Sequence, residues 1–200
     1  MRIIAHGIKN PQEARQALRA SVDFLEVDAS KRLILTKFTT QHHGIKGKLG
    51  IGESLEPILS AISPNKLFLD IKHANSSLTF TKKFSDLLID HHIKNARICG
   101  LDWQIISEVC QKTGCLPFYT LAKEEDFKKL KKKLAKLIYP RGFPIRHSLI
   151  DKSLIVYLKS IYPRSGIWVW TVNDIEESKR LEKLGVDGII TDQWEKFTNL

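Results

Sequence analysis

Glu26 and Asp28 close the apolar run Phe24-Leu-Glu-Val-Asp-Ala29, and their types and spacing set the first chemical question of this 200-residue chain. In an extended strand an i, i+2 pair points to one face. Two carboxylates that close repel, and both ionise in a tight site when a cation sits between them. Two further apolar runs, Met1-Arg-Ile-Ile-Ala-His6 and Lys66-Leu-Phe-Leu-Asp-Ile-Lys72, deliver His6, Asp70 and Lys72 at or near their C-terminal ends. Three carboxylates make a hard oxygen site suited to a divalent cation, Mg²⁺ ahead of Ca²⁺. Lys72 puts a positive charge where an anionic substrate would lie. His6 and a loop histidine have the right chemistry for a general base and acid, since unperturbed imidazole titrates near ~6.5. A cation, a lysine and two histidines together suit in-line displacement at a phosphodiester.

Something must bring these residues to one place. Strand-like runs fall at Arg2–Ala5, Phe24–Val27, Leu67–Ile71, Arg97–Gly100, Leu116–Leu121, Leu137–Tyr139, Ile167–Thr171 and Gly188–Thr191. Helical patterns lie between them, near 11–20, 53–62, 78–92, 103–113, 123–135, 151–162 and 174–184, with a last one near 193–198. Asn10-Pro11 reads as a helix start, the acidic first turn after Asn173-Asp174 as another, and Gly185 as a stop. Pro140, Gly142 and Pro144 read as a loop after the sixth strand, with Arg146 and His147 as exposed loop charges first and as contacts for an anion second. Eight alternating units argue for a parallel sheet, and right-handed crossovers close it into a (βα)8 barrel, an α/β fold in a single domain over 1–200 whose first and last strands pair. Chemistry in such a barrel sits at the C-terminal ends of the strands. His6, Glu26, Asp28, Asp70, Lys72, Trp170 and Asn173 all fall there, as does the glycine- and histidine-bearing stretch 37–52, which reads as a functional loop.

Composition narrows the setting. No stretch approaches the ~20 apolar residues of a membrane span. The N-terminus enters a strand at once, with no room for a signal peptide, and Cys99, Cys110 and Cys115 lack metal-site spacing; these features read as a cytoplasmic protein with reduced thiols. Of the formal net charge of +10, residues 123–136 supply +4, with seven lysines against Glu124, Glu125 and Asp126. Phe127, Leu130, Leu134 and Leu137 keep helical spacing there, so the lysines line the outer face of an amphipathic helix. A solvated face is the first reading, and peripheral contact with an anionic membrane the second. Nucleic acid is not expected as a partner, because the basic stretch lacks interleaved aromatics.

The pieces Ile4-Ala-His6-Gly7, Phe24-Leu-Glu-Val-Asp28, Leu69-Asp-Ile-Lys72, Val169-Trp-Thr-Val-Asn173 and Gly185-Val-Asp-Gly-Ile-Ile-Thr-Asp192 resemble, in order, the glycerophosphodiester phosphodiesterase family and the related sphingomyelinase D type enzymes. The resemblance implies a barrel, a divalent metal and two catalytic histidines that cleave phosphodiesters of glycerol or lipid head groups. Carried over by position, Glu26, Asp28 and Asp70 bind the metal, His6 is the first catalytic histidine and Lys72 holds phosphate; Trp170 reads as a wall for the substrate or a core-edge aromatic, and Asn173 as a substrate-binding residue or a helix cap. The departures are specific. Gly7 follows His6 where the family usually has Arg, Pro11-Gln-Glu-Ala14 replaces Pro-Glu-Asn-Thr, and Asp70-Ile-Lys72 is similar to the sphingomyelinase D version of the third ligand. The histidine after the second strand is absent near Lys37-Phe38, but Gln41-His-His-Gly-Ile45 is similar to the sphingomyelinase D loop, with His43 taken as the second catalytic residue and His42 as its alternative. The expected activity is metal-dependent cleavage of a small glycerophosphodiester or lysophospholipid-like phosphodiester. The alternative is a degenerate barrel that binds a phosphorylated ligand without turnover.

Overall fold

The computed structural model describes residues 1–31, 38–40, 53–72 and 78–198. In chain order its strands are β1 (Arg2–Ala5), β2 (Phe24–Lys31), β3 (Phe38–Thr39), β4 (Leu67–Lys72), β5 (Arg97–Gly100), β6 (Leu116–Tyr119), β7 (Gly142–Arg146), β8 (Gly166–Trp170) and β9 (Gly188–Thr191). All but β3 run parallel, in the order β1, β2, β4, β5, β6, β7, β8, β9. β1 pairs with β2 on one side and with β9 on the other, so the sheet closes on itself as a (βα)8 barrel. β3 is a two-residue antiparallel addition to the end of β2. The helices α1 (Pro11–Arg19), α2 (Glu56–Ala61), α3 (Leu78–Asp90), α4 (Trp103–Thr113), α5 (Glu124–Leu134), α6 (Lys152–Ile161), α7 (Ile175–Leu184) and α8 (Trp194–Thr198) alternate with the parallel strands.

Local chemistry sets the helix ends. The Glu13 amide donates to Asn10 Oδ1 at 2.9 Å ahead of Pro11, and Asp102, Asp151 and Asp174 accept in the same way at the starts of α4, α6 and α7. The cap before α7 is thus Asp174, which leaves Asn173 available for other contacts. In α5 the acids occupy the first turn and Lys131, Lys132 and Lys133 the last, as the helix dipole favours. Leu130 and Leu134 are buried beneath them, and the lysines face outward. Among the described residues no helix is long and apolar enough to cross a membrane.

The sequence reading misplaced one strand. Leu137–Tyr139 is not extended sheet; it continues from the end of α5, where Leu137 and Ile138 pack on the outer core and Tyr139 is exposed. The strand is Gly142–Arg146, built from residues that ordinarily mark turns. A Cβ on Gly142 would lie 2.3 Å from the Phe118 ring and 2.9 Å from the Gly166 carbonyl, so the close approach of backbone to ring demands glycine. Pro144 needs no amide for its principal contact, because its carbonyl accepts from the Leu121 amide at 2.8 Å.

That close approach belongs to a filled barrel interior. Ile4, Phe24, Phe68, Cys99, Phe118, Trp168 and Ile190, one from each parallel strand except β7, form a separate buried cluster. Phe24, Phe68 and Phe118 meet Trp168 edge-on at centroid distances of 5.6, 5.9 and 6.0 Å. Such contacts add about 0.5–1.5 kcal/mol each beyond area burial. Gly142, Gly166 and Gly188 leave the room these rings fill. Gly142→Ala should therefore destabilise the protein by about 2 kcal/mol or more through overpacking, a fall of roughly 5 °C in Tm. A thermal melt with unchanged Tm would contradict this packed floor.

Candidate active site

Period-two alternation carries each strand from the aromatic floor to a polar mouth. Phe24, Glu26 and Asp28 share the inner face of β2, as Phe68, Asp70 and Lys72 share that of β4. Asp28 and Asp70 are Cα partners in the parallel register, so two neighbouring strands present acids at one level. Ile4 is level with Phe24, which puts His6 at the level of Glu26. The cavity above the floor has a volume of about 490 Å³, and His6, Glu26, Asp70, Lys72, Arg146 and Trp170 are among its lining residues.

Glu26, Asp28 and Asp70 each offer a carboxylate oxygen such that the three lie within 4.8 Å of one another. Glu26 is 2% exposed and Asp28 4% exposed. Lys72 Nζ pairs with Asp70 and lies 3.2 Å from Asp28 Oδ1. Burial disfavours the Lys72 charge, but Asp70, Glu26 and Asp28 outweigh it and raise its pKa, so it stays protonated. Burial, then the charge of Asp28, pushes Glu26 up to about 8. One lysine does not neutralise three acids. Glu26 Oε1 is buried and has no hydrogen-bond partner among the described residues, while Oε2 accepts from the Gly7 amide at 2.8 Å. An all-oxygen set with a buried, unpartnered oxygen fits a hard divalent cation.

Gly7 has φ +69°, a left-handed conformation that aims its amide at Glu26 and that glycine adopts without strain. This gives a structural reason for His6-Gly7. His6 Nδ1 is 2.6 Å from Asp192 Oδ1. A carboxylate only accepts, so Nδ1 carries the proton and Nε2 is turned toward the acids, 3.8 Å from Glu26 Oε2. Burial opposes the imidazolium, yet Glu26 and Asp192 together outweigh it and raise the pKa of His6.

Asp192 is the residue that sequence reasoning did not assign. It lies just past β9, and it reaches His6 only because the last strand pairs with the first. The signal was present in the Thr191-Asp192 strand end. Asn173 fixes it: Nδ2 donates to Asp192 Oδ2 at 2.9 Å, while Oδ1 accepts from the Asp192 amide and from Thr191 Oγ1, both at 3.0 Å. Asn173 thus holds the residue that orients His6, and Trp170 lines the cavity as a wall. Cys99 also lines it, but burial, then the nearby Asp70 and Glu26, pushes its thiol well up, so it is a neutral wall. His42 and His43 lie outside the described residues.

The acid cluster predicts a pH signature in the absence of added cation. A carboxyl whose pKa rises from 4.5 to about 8 on folding binds more protons in the folded state over that window, so stability falls as pH rises through it. The Tm of the EDTA-treated protein should decline between those pH values, and Glu26→Gln should flatten the decline. Adding Mg²⁺ or Ca²⁺ at pH 8 should raise the Tm. A flat profile in the unsubstituted protein would contradict the arrangement.

Comparison with known proteins agrees with the barrel fold. The sequence pattern of the "Glycerophosphoryl diester phosphodiesterase family" matches residues 56–196. The matched span begins beyond His6, Glu26 and Asp28, so the unusual first motif lies outside it. No curated protein sequence matches the chain. Among solved structures, an Oleispira antarctica phosphodiesterase in complex with the product sn-glycerol-3-phosphate is similar with a TM-score of 0.78 at 13% identity, covering 100% of this chain and 96% of that one. A Thermotoga maritima glycerophosphodiester phosphodiesterase gives 0.75 at 18%, covering 100% and 98%. One from Parabacteroides distasonis gives 0.74 at 15%, covering 99% and 96%. Identities this low establish a shared fold, and the family pattern over most of the chain establishes more: the chain belongs to the glycerophosphoryl diester phosphodiesterase family, and with it to the phosphoric diester hydrolases.

Proposed function

We propose that this protein is a metal-dependent phosphodiesterase acting on a small glycerophosphodiester or lysophospholipid-like substrate in the cavity above the aromatic floor. The observation that carries the reading is the orientation of His6. Asp192 fixes its Nδ1–H, and Nε2 is left beside Glu26 at the edge of the acid cluster. Glu26, Asp28 and Asp70 are the residues that would hold the cation, with Mg²⁺ favoured over Ca²⁺. A bound divalent cation supplies polarisation of a phosphoryl oxygen and balances the carboxylate charge. That a similar phosphodiesterase was crystallised with sn-glycerol-3-phosphate supports a small phosphorylated ligand for this cavity.

His6 carries one of two proton transfers. In-line displacement puts the entering and leaving oxygens on opposite sides of phosphorus, so a second proton group must come from the other side. His43 is proposed for it on the sequence reading alone. Lys72 keeps a positive charge between Asp28 and Asp70, and Trp170 gives the substrate an apolar wall. Asn173 holds Asp192 through its side-chain amide, and its contact with phosphate is proposed on the sequence reading. A second reading, a barrel that binds a phosphorylated ligand without turnover, draws on Gly7, which provides no cation after His6. A screen of phosphodiesters with Mg²⁺ or Ca²⁺ separates the two, since turnover excludes the second.

His6→Ala and His43→Ala should each lower kcat by roughly 10²–10⁴-fold, and the double substitution should cost far less than the product of the singles. His42→Ala should cost little. If His42→Ala abolishes turnover and His43→Ala does not, the assignment of the loop is inverted. In calorimetry, Glu26→Gln together with Asp28→Asn should remove divalent-cation binding; unchanged affinity would refute the carboxylate site.

A further inference from the structure

The wall of the cavity opposite the carboxylates has a different character. In the closed ring of eight parallel strands β7 is fourth from β2 in either direction, so Arg146, at the end of β7, stands across the mouth from Glu26 and Asp28. Its Cα partner on β8 is Trp170, and the guanidinium carbon lies 5.4 Å from the centroid of that ring. Stacking on an indole steers a guanidinium without using its N–H donors. Arg146 makes no ion pair among the described residues, whereas Lys72, the other lysine or arginine lining the cavity, already meets two carboxylates. Thr120, just past β6, and Trp170, on β8, line the cavity on either side of Arg146. One wall therefore gathers carboxylates, and the facing wall holds a forked cation laid against an indole.

We propose that Arg146, steered by Trp170, forms an anion subsite that takes the non-bridging phosphoryl oxygens of a phosphate ester from the side opposite the carboxylates. The planar fork matches two such oxygens, which a single ammonium group does not. This supplies from β7 a phosphate-gripping charge that Gly7 cannot supply from β1. It rests on the phosphodiesterase reading for the identity of the substrate, but anion binding itself can be measured without turnover.

The test is calorimetric titration of the protein with sn-glycerol-3-phosphate in Mg²⁺-containing buffer, run alongside kinetics on whichever diester the screen identifies. Arg146→Ala should weaken sn-glycerol-3-phosphate binding roughly tenfold to a hundredfold, the range for hydrogen bonds to charged groups. Arg146→Lys should recover only part of it, and His147→Ala, at the neighbouring exposed position, should leave it unchanged. Unaltered melting of the three variants, followed by thermal denaturation, guards against a folding effect. Wild-type affinity in Arg146→Ala overturns the subsite, as does failure of the unsubstituted protein to bind sn-glycerol-3-phosphate. Loss of binding in Arg146→Ala from a protein that turns over no diester upholds the subsite and removes the hydrolase reading. Unchanged binding and unchanged kcat/KM in that variant do the reverse.

Discussion

Three carboxylates within 4.8 Å of one another and a single lysine between two of them set the terms for this molecule. Two like charges at about 4 Å repel by roughly 4 kcal/mol at an effective dielectric of 20, and burial of Glu26 adds to that. Left to local preferences, the chain would separate these groups. They stay together because β2 and β4 are pinned in register over six residue pairs, from Leu25–Leu67 to Ser30–Lys72. Beneath them the aromatic floor fixes the spacing of the strands. Stability built into the lower barrel offsets strain concentrated at its mouth, the usual relation between a scaffold and a site that is unfavourable by itself.

The same division runs around the ring. Five of the strands offer an inner residue to the floor and, two positions later, an inner residue to the cavity: Ile4 and His6, Phe24 and Glu26, Phe68 and Asp70, Phe118 and Thr120, Trp168 and Trp170. Parallel register then turns sequence position into height. Because the eight barrel strands run the same way, the functional residues they carry arrive at the same end. The floor tolerates three large rings and an indole only because β7, β8 and β9 each begin with glycine.

Closure adds a further dependence. His6 and Asp192 are 186 residues apart, yet they meet at 2.6 Å because β1 and β9 are neighbours. The tautomer of His6 is therefore a consequence of barrel closure. Asn173, on the loop after β8, ties the third participant to the same point. Any change that loosens the seam between β1 and β9 acts on the orientation of the imidazole before it acts on the acids, which sit on the other side of β1.

The sequence by itself determined the alternation of strands and helices, the barrel, and the cluster of Glu26, Asp28, Asp70, Lys72 and His6, because period-two spacing and strand-end position are local properties written in a few adjacent residues. It also marked helix starts through Asn10 and Asp174, whose side chains bond amides three residues on. It failed where a residue's meaning depends on a distant partner. Gly142 and Pro144 look like a turn in one dimension and form a strand in three, since the Phe118 ring and the Leu121 amide that account for them come from another part of the chain. Asp192 was passed over for the same reason, as a carboxylate gains its role from an imidazole across the barrel seam. Arg146, read first as an exposed loop charge that could contact an anion, gains its setting from the indole and the acids it faces. Which acidic or basic group confronts which is fixed by strand order and register around the closed ring, and these are decided by packing of the whole chain, because no local segment contains both sides of the contact.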